Sequence, residues 1–186
     1  MNILWDFDGT LFDTYPAYTK VFSAVLGEKA KPEDIYKQLK ISYTNALNYY
    51  EVSEEDQATL MELRKKLAPE EMKPFDHVEE ILKWADKNVI MTHKSRKGVL
   101  AILQHYGWEH YFSDIVTIDD GYARKPDTEA YVYLHNKHHI DLAIGDRELD
   151  LIPAKKLGIA TCIFQTECEI ADYQLQDYRE FFKLGL

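Results

Sequence analysis

Two acidic clusters hold the residues best suited to chemistry. Asp6-Phe7-Asp8-Gly9-Thr10 sets two carboxylates two positions apart, and Gly145-Asp146-Arg147-Glu148-Leu149-Asp150 brings further acids close together. Carboxylates gathered in one place repel each other unless a cation sits between them. Mg²⁺ suits such a group, because it takes hard oxygen ligands and usually keeps several waters. Each cluster directly follows an apolar run, Asn2 to Trp5 and Leu142 to Ile144. Both therefore stand at the C-terminal ends of strands, where open α/β sheets build their sites.

Other reactive side chains give weaker signals. His135, His138 and His139 share a helix at spacings able to hold a transition metal, but no acidic partner accompanies them, and an exposed helix face is the favoured reading. Cys162 and Cys168 are too few for a disulfide framework. Cys162 lies in the apolar run Ile159 to Phe164 and reads as inert core.

Five apolar runs read as strands: Asn2 to Trp5, Val89 to Met91, Ile115 to Ile118, Leu142 to Ile144 and Ala160 to Phe164. Helical spacing fills the gaps between the later four, through Val99, Ile102, Leu103 and Tyr106, then Tyr131 and Leu134, then Ala154 and Leu157. Ser95 is placed to cap the first of these helices. The last is expected from Glu148 or Leu149 to Gly158, a start chosen to keep Pro153 in its first turn. Alternation of strand and helix implies a mainly parallel sheet covered on both faces. The tail from Tyr173 to Leu186 reads as a short extended piece and then an amphipathic helix closing the core.

About 80 residues separate the first two strands, and polar and apolar alternation at helical period fills that interval. This predicts an all-helical insertion over residues 15–74, with breaks at Gly27 to Pro32 and at Ala68-Pro69, and a core domain made of 1–14 and 75–186.

With these motifs in place, the chain resembles a phosphatase of the haloacid dehalogenase superfamily, of the subgroup that includes phosphoglycolate phosphatase and β-phosphoglucomutase. Asp6-Phe7-Asp8-Gly9-Thr10 resembles the first motif, Val89-Ile90-Met91-Thr92 the second, Lys125-Pro126 the third, and Gly145-Asp146 through Asp150 the fourth. The resemblance implies a Rossmann-like parallel sheet of about five strands sandwiched by helices, with a small helical C1 cap inserted after the first strand. It implies that Asp6 attacks phosphorus and forms an aspartyl-phosphate, while Asp8 protonates the leaving oxygen and then activates water. Magnesium would be held by Asp6, the backbone carbonyl of Asp8 and Asp146, with Asp150 acting through water or by orienting its neighbours. Thr92 and Lys125 would meet the charge of the phosphoryl oxygens, with His93, Gly9 and Thr10 at the phosphate or substrate. Threonine at position 10 is common in the family's phosphatases and valine in its sugar phosphomutases, which favours hydrolysis.

Several residues admit two readings. His93 stands where many relatives carry asparagine, and either lines the pocket or ends its strand. Lys94 reads as a solvated lysine ahead of a helix rather than as an attractor of a substrate carboxylate. Arg147 stands where relatives place a small residue, and either makes a salt bridge in the surroundings of Glu148 or approaches the phosphate. Lys37, Lys40, Tyr43 and Asn45 are cap candidates for substrate contact, and a solvated helix face explains them equally well.

The formal charge of -10 disfavours a nucleic-acid backbone or an anionic membrane as partner. The absence of a long apolar run or a signal-peptide pattern points to the cytoplasm. The expected partner is a small phosphate ester, and the expected state a monomer or weak homodimer. Three alternatives to the phosphatase stand: a sugar phosphomutase, a non-catalytic binder of phosphorylated metabolites, and a dehalogenase, whose chemistry requires neither the second aspartate nor magnesium.

Overall fold

Unbroken apolar runs become strands when both faces of their sheet are covered, and Asn2–Trp5 (β1) is such a run, with Ile3, Leu4 and Trp5 fully buried. In the computed structural model, which describes residues 1–186, the chain continues through β2 (Phe12–Asp13), α1 (Tyr15–Leu26), α2 (Pro32–Ile41), α3 (Tyr43–Tyr49), α4 (Glu54–Lys65) and β3 (Lys73–Pro74). It then alternates: α5 (Val78–Trp84), β4 (Lys87–Met91), α6 (Arg96–Tyr106), β5 (Phe112–Val116), α7 (Glu129–His138), β6 (Leu142–Gly145), α8 (Glu148–Lys156), β7 (Ala160–Phe164) and β8 (Tyr173–Leu175).

Two compact units result, one of residues 1–12 and 74–186 and the other of residues 13–73. In the first, six strands pair in the order β5-β4-β1-β6-β7-β8, all in parallel. The sequence indicated five. The sixth, β8, is only three residues long: it is the short extended piece expected from Tyr173, and it joins the sheet by pairing Cys162 with Tyr173 and Phe164 with Leu175. The expected strand from Ile115 to Ile118 begins instead at Phe112, and Ile118 opens a 3-10 turn whose Thr117 N–H donates to Asp120. Leu4, Val89, Met91, Val116, Tyr131, Leu134 and Ala143 form one buried cluster between sheet and helices. Cys162 lies in the core, where burial pushes its thiol up to about 12.

Ser95 caps α6, its hydroxyl accepting the Gly98 N–H at 3.3 Å. α8 begins at Glu148 as expected, but Pro153 falls in its second turn rather than its first. The expected helix at the C-terminus is a 3-10 helix, Tyr178–Lys183. Its Tyr178 and Phe181 are buried, and the Tyr178 ring stacks on Phe164 at 4.1 Å between centroids.

The second unit is helical, α1 packing on α2 and α4, and α2 on α3. Gly27, with φ 58°, ends α1, and Pro32 starts α2. Two further breaks escaped the periodicity: Ser42 caps α3 by accepting the Asn45 N–H at 2.9 Å, and Ser53 caps α4 by accepting the Asp56 N–H at 3.1 Å. The Arg64 guanidinium lies over two rings at once, 4.7 Å from that of Tyr18 and 4.2 Å from that of Tyr43. No helix in the chain is long and apolar enough to cross a membrane.

Candidate active site

β1 and β6 are neighbours in register, Trp5 opposite Ile144, and the Asp6 N–H donates to the Ile144 carbonyl at 2.9 Å. Parallel pairing therefore delivers the ends of both acidic motifs to one edge of the sheet. Asp6, Asp146 and Asp150 each offer an oxygen, and these atoms lie within 4.8 Å of one another in the interior.

The first motif turns sharply after Asp6. Gly9, with φ 82°, donates its N–H to Phe12, while the Leu11 and Phe12 N–H groups both donate to the Phe7 carbonyl. A positive φ is costly for residues with a Cβ, which accounts for glycine here. Phe7 is fully buried and stacks on Phe12 at 4.7 Å, so its neighbours Asp6 and Asp8 are anchored by a ring in the core. Thr10 is buried, and its carbonyl accepts the Tyr178 hydroxyl at 2.9 Å. Tyr178 is thus a supporting residue that lies 168 positions away in sequence and carries no motif signal.

In the fourth motif, Asp150 folds back on the start of α8, one carboxylate oxygen accepting the Arg147 N–H at 3.1 Å. Asp150 also packs against Gly145. A Cβ at Gly145 would collide with Asp150 Cβ and stand 3.0 Å from its Cγ. Arg147, the departure from the family's small residue, turns toward the acids, with its guanidinium 3.4 Å from Asp150 and 3.7 Å from Asp146. Its ionic partners are thus the acids of the site itself.

Lys125 comes from the loop between β5 and α7, and its peptide bond to Pro126 is cis. Its Nζ donates to Asp6 at 2.6 Å and to Asp150 at 2.8 Å, with its side chain 1% exposed. The two acids compete for this one ammonium. Burial pushes Asp6 up to about 7, aided by Asp150 and against the pull of Lys125 and Arg147. Asp150 would also be raised by burial, but Arg147 and Lys125 together hold it down at about 2. Burial acts to lower the Lys125 pKa, but the two acids outweigh it and raise it.

The second motif ends β4. Thr92 is buried, donates its N–H to Val116, and accepts the Lys94 N–H on its hydroxyl at 3.1 Å. That hydroxyl keeps its own proton for donation. His93 neither faces open solvent nor simply ends a strand: its Nε2 accepts the Lys125 N–H at 3.0 Å. Burial, then Lys125, Arg124 and Arg147, depress its pKa to about 3, so the imidazole is neutral and an acceptor. Lys94 is not solvated. Its side chain is 9% exposed and its Nζ lies 3.1 Å from Asp8 Oδ1.

The structure thus brings together Asp6, Asp146, Asp150, Lys125 and Arg147, and joins Asp8 to Lys94 and His93 to Lys125. His138 pairs through Nε2 with Asp114 at 3.0 Å and is buried, so the acidic partner missing from its own helix comes from β5. His139 is exposed, as expected. In the helical unit, Lys37 is exposed beside Asp34, Lys40 lies 5.1 Å over the Tyr15 ring, Asn45 bonds Gln38 at 2.8 Å, and Tyr43 packs edge-on to Phe22 at 5.4 Å.

The three carboxylates suit a divalent metal. Asp6 Oδ2 is buried without a hydrogen-bond partner, and an acceptor left so is costly unless a cation or donor meets it. The donors are hard oxygens throughout, as Mg²⁺ prefers.

Known proteins resemble this chain in sequence and in fold. A family model described as haloacid dehalogenase-like hydrolase matches residues 3–164. The chain is 34% identical over 73 residues to a phosphoglycolate phosphatase of Vibrio cholerae, a match to 37% of this chain and about a third (32%) of the relative's length. It is 21% identical to an (S)-2-haloacid dehalogenase of a Pseudomonas species over 98% of the chain and 93% of the relative. A solved hydrolase from Streptococcus pneumoniae superposes with a TM-score of 0.66 at 27% identity, covering 86% of this chain and 90% of that one.

Proposed function

The chain belongs to the haloacid dehalogenase-like hydrolase family, and we propose that it is a Mg²⁺-dependent phosphomonoesterase acting on a small phosphorylated metabolite through an aspartyl-phosphate. One observation carries the reading: Asp6 and Asp8, two residues apart, are held by different lysines, Asp6 by Lys125 at 2.6 Å and Asp8 by Lys94 at 3.1 Å. The first acid is buried among charges beside two further carboxylates. The second is 23% exposed on its side chain and stands where a proton can come and go. Halide displacement needs a nucleophile alone, whereas ester hydrolysis needs a nucleophile and a proton carrier.

In the first half of the reaction an Asp6 oxygen bonds to phosphorus as the bond to the ester oxygen breaks, and Asp8 gives that oxygen its proton. In the second half Asp8 takes a proton from water, the water oxygen bonds to phosphorus, and the bond to Asp6 breaks. Lys125 and the Thr92 hydroxyl donate to the phosphoryl oxygens, while His93 fixes the Lys125 backbone. Asp6, Asp146 and Asp150 would hold magnesium, with the Asp8 carbonyl, and the ion would neutralise charge on the phosphoryl group.

The test is release of phosphate from an aryl phosphate and from a panel of phosphorylated metabolites, with Mg²⁺ and with chelator. Asp6→Asn is expected to abolish release. Turnover by Asp6→Asn, or full activity in chelator, contradicts the reading.

A further inference from the structure

We infer that Lys94 is a positioning residue that aims the Asp8 carboxyl at the leaving oxygen. The inference rests on the phosphatase reading above and assigns a task to a residue which that reading uses only to tell two aspartates apart.

Lys94 is a lysine with little freedom. Its N–H donates to the Thr92 hydroxyl at 3.1 Å and its carbonyl accepts the Ile118 N–H at 3.3 Å, so its backbone is fixed on both sides of the Cα. Its Nζ stands 5.8 Å from the centroid of Phe7, a ring that is itself fully buried and stacked on Phe12. The side chain is 9% exposed, although a lysine at the surface ordinarily keeps its ammonium in water. Ordering a side chain with four rotatable bonds costs entropy, and an exposed lysine-carboxylate pair recovers little of it. Here the backbone anchors and the aromatic floor reduce that cost, leaving the ammonium at Asp8 Oδ1, 3.1 Å away.

The geometry matters because Asp8 lies just before the left-handed turn at Gly9 and is the more exposed of the two acids. A proton donor contributes only when it is within hydrogen-bond reach of the oxygen it serves. The Lys94 ammonium at Oδ1 fixes the direction in which the Asp8 carboxyl is presented. Lys94 thereby does for Asp8 what Lys125 does for Asp6, from the short segment Thr92 to Lys94 that directly follows β4.

The experiment reads how the rate depends on the leaving group. The substrates are Mg²⁺-supported phosphate monoesters ranging from p-nitrophenyl phosphate, whose leaving group needs no proton, to alkyl phosphates, whose leaving group does. Lys94→Met is expected to lower kcat on alkyl phosphates by about 100-fold and on p-nitrophenyl phosphate by less than about tenfold, the range a positioned general acid contributes. Lys94→Arg should restore most of the difference, and Lys94→Met should add little in an Asp8→Asn background, because the two act as one unit. A loss of equal size across the series, or a rise in KM with kcat unchanged, would show a structural or substrate-binding lysine and overturn the inference. Should Lys94→Met fail to fold, Lys94→Gln carries the same comparison. A wild-type protein that hydrolyses none of these esters overturns the phosphatase reading itself, an outcome distinct from an active wild type with a uniform loss.

Discussion

Lys125 Nζ lies 2.6 Å from Asp6 Oδ1 and 2.8 Å from Asp150 Oδ1, with all three side chains essentially removed from water. Removing one partner of a buried ion pair leaves an uncompensated charge, which typically costs about 3–5 kcal/mol. Lys125→Met is therefore expected to destabilise the metal-free protein by that order in urea denaturation, besides lowering activity. A change below about 1 kcal/mol would mean that water or Arg147 already satisfies these acids.

The same cluster fixes a dependence on pH and metal. A carboxyl raised from 3.8 to about 7 binds more protons folded than unfolded, so Asp6 withdraws stability as pH rises from about 4 to 7. Asp150, held at about 2, works the opposite way: its contribution is present above about pH 4 and is lost as pH falls toward 2. In thermal melts of the metal-free protein the Asp6 loss between pH 5 and pH 7 is largely offset by His93, whose pKa, depressed from 6.5 to about 3, adds stability as pH rises toward 6.5, so His93→Gln should expose a fall in stability over that range that the wild type lacks. Millimolar Mg²⁺ should stabilise the protein more at pH 7.5 than at pH 5, because ionised Asp6 is the form that binds the ion. Equal shifts in Tm at both pH values would contradict the assignment of Asp6 as a ligand.

Gly145→Ala places a methyl group against the Asp150 side chain, 3.0 Å from its Cγ. Overpacking of this kind costs about 1–3 kcal/mol. The variant should also need more Mg²⁺ for half-maximal activity, since Asp150 must move. Unchanged stability and Mg²⁺ requirement would show that β6 and α8 can yield without disturbing the site.

In the helical unit, Arg64→Ala removes a guanidinium that packs on both Tyr18 and Tyr43. Loss of two such contacts should cost about 1–3 kcal/mol and speed proteolytic cleavage within residues 13–73. Cleavage at the wild-type rate would show that α1, α3 and α4 hold together without it.

Where sequence and structure agree or part follows from the range of the interactions. Strands buried on both faces leave unbroken apolar runs, so β1, β6 and β7 are legible from sequence, and a motif that follows such a run is placed by parallel register. β8 is three residues long and owes its place to Thr161 and Asp172, whose hydroxyl and carboxylate join at 2.9 Å. Side-chain caps at Ser42 and Ser53 divide helices that periodicity alone would run together. In the site, residue type identified the acids and Lys125 as chemical groups. It could not say that Lys94 turns inward to Asp8, that His93 accepts from the Lys125 backbone, or that Tyr178 supports Thr10, because those partners are 86, 32 and 168 positions apart.

Asp6 is proposed to carry the phosphoryl group, and trapping the aspartyl-phosphate tests that role at the bond itself. Enzyme mixed with a turned-over phosphate ester and Mg²⁺, quenched in acid and digested, should yield an acid-stable, base-labile phosphoryl adduct on the peptide that contains Asp6, and Asp6→Asn should yield none. Steady turnover with no adduct on that peptide at any quench time, together with activity retained in Asp6→Asn, would contradict the account.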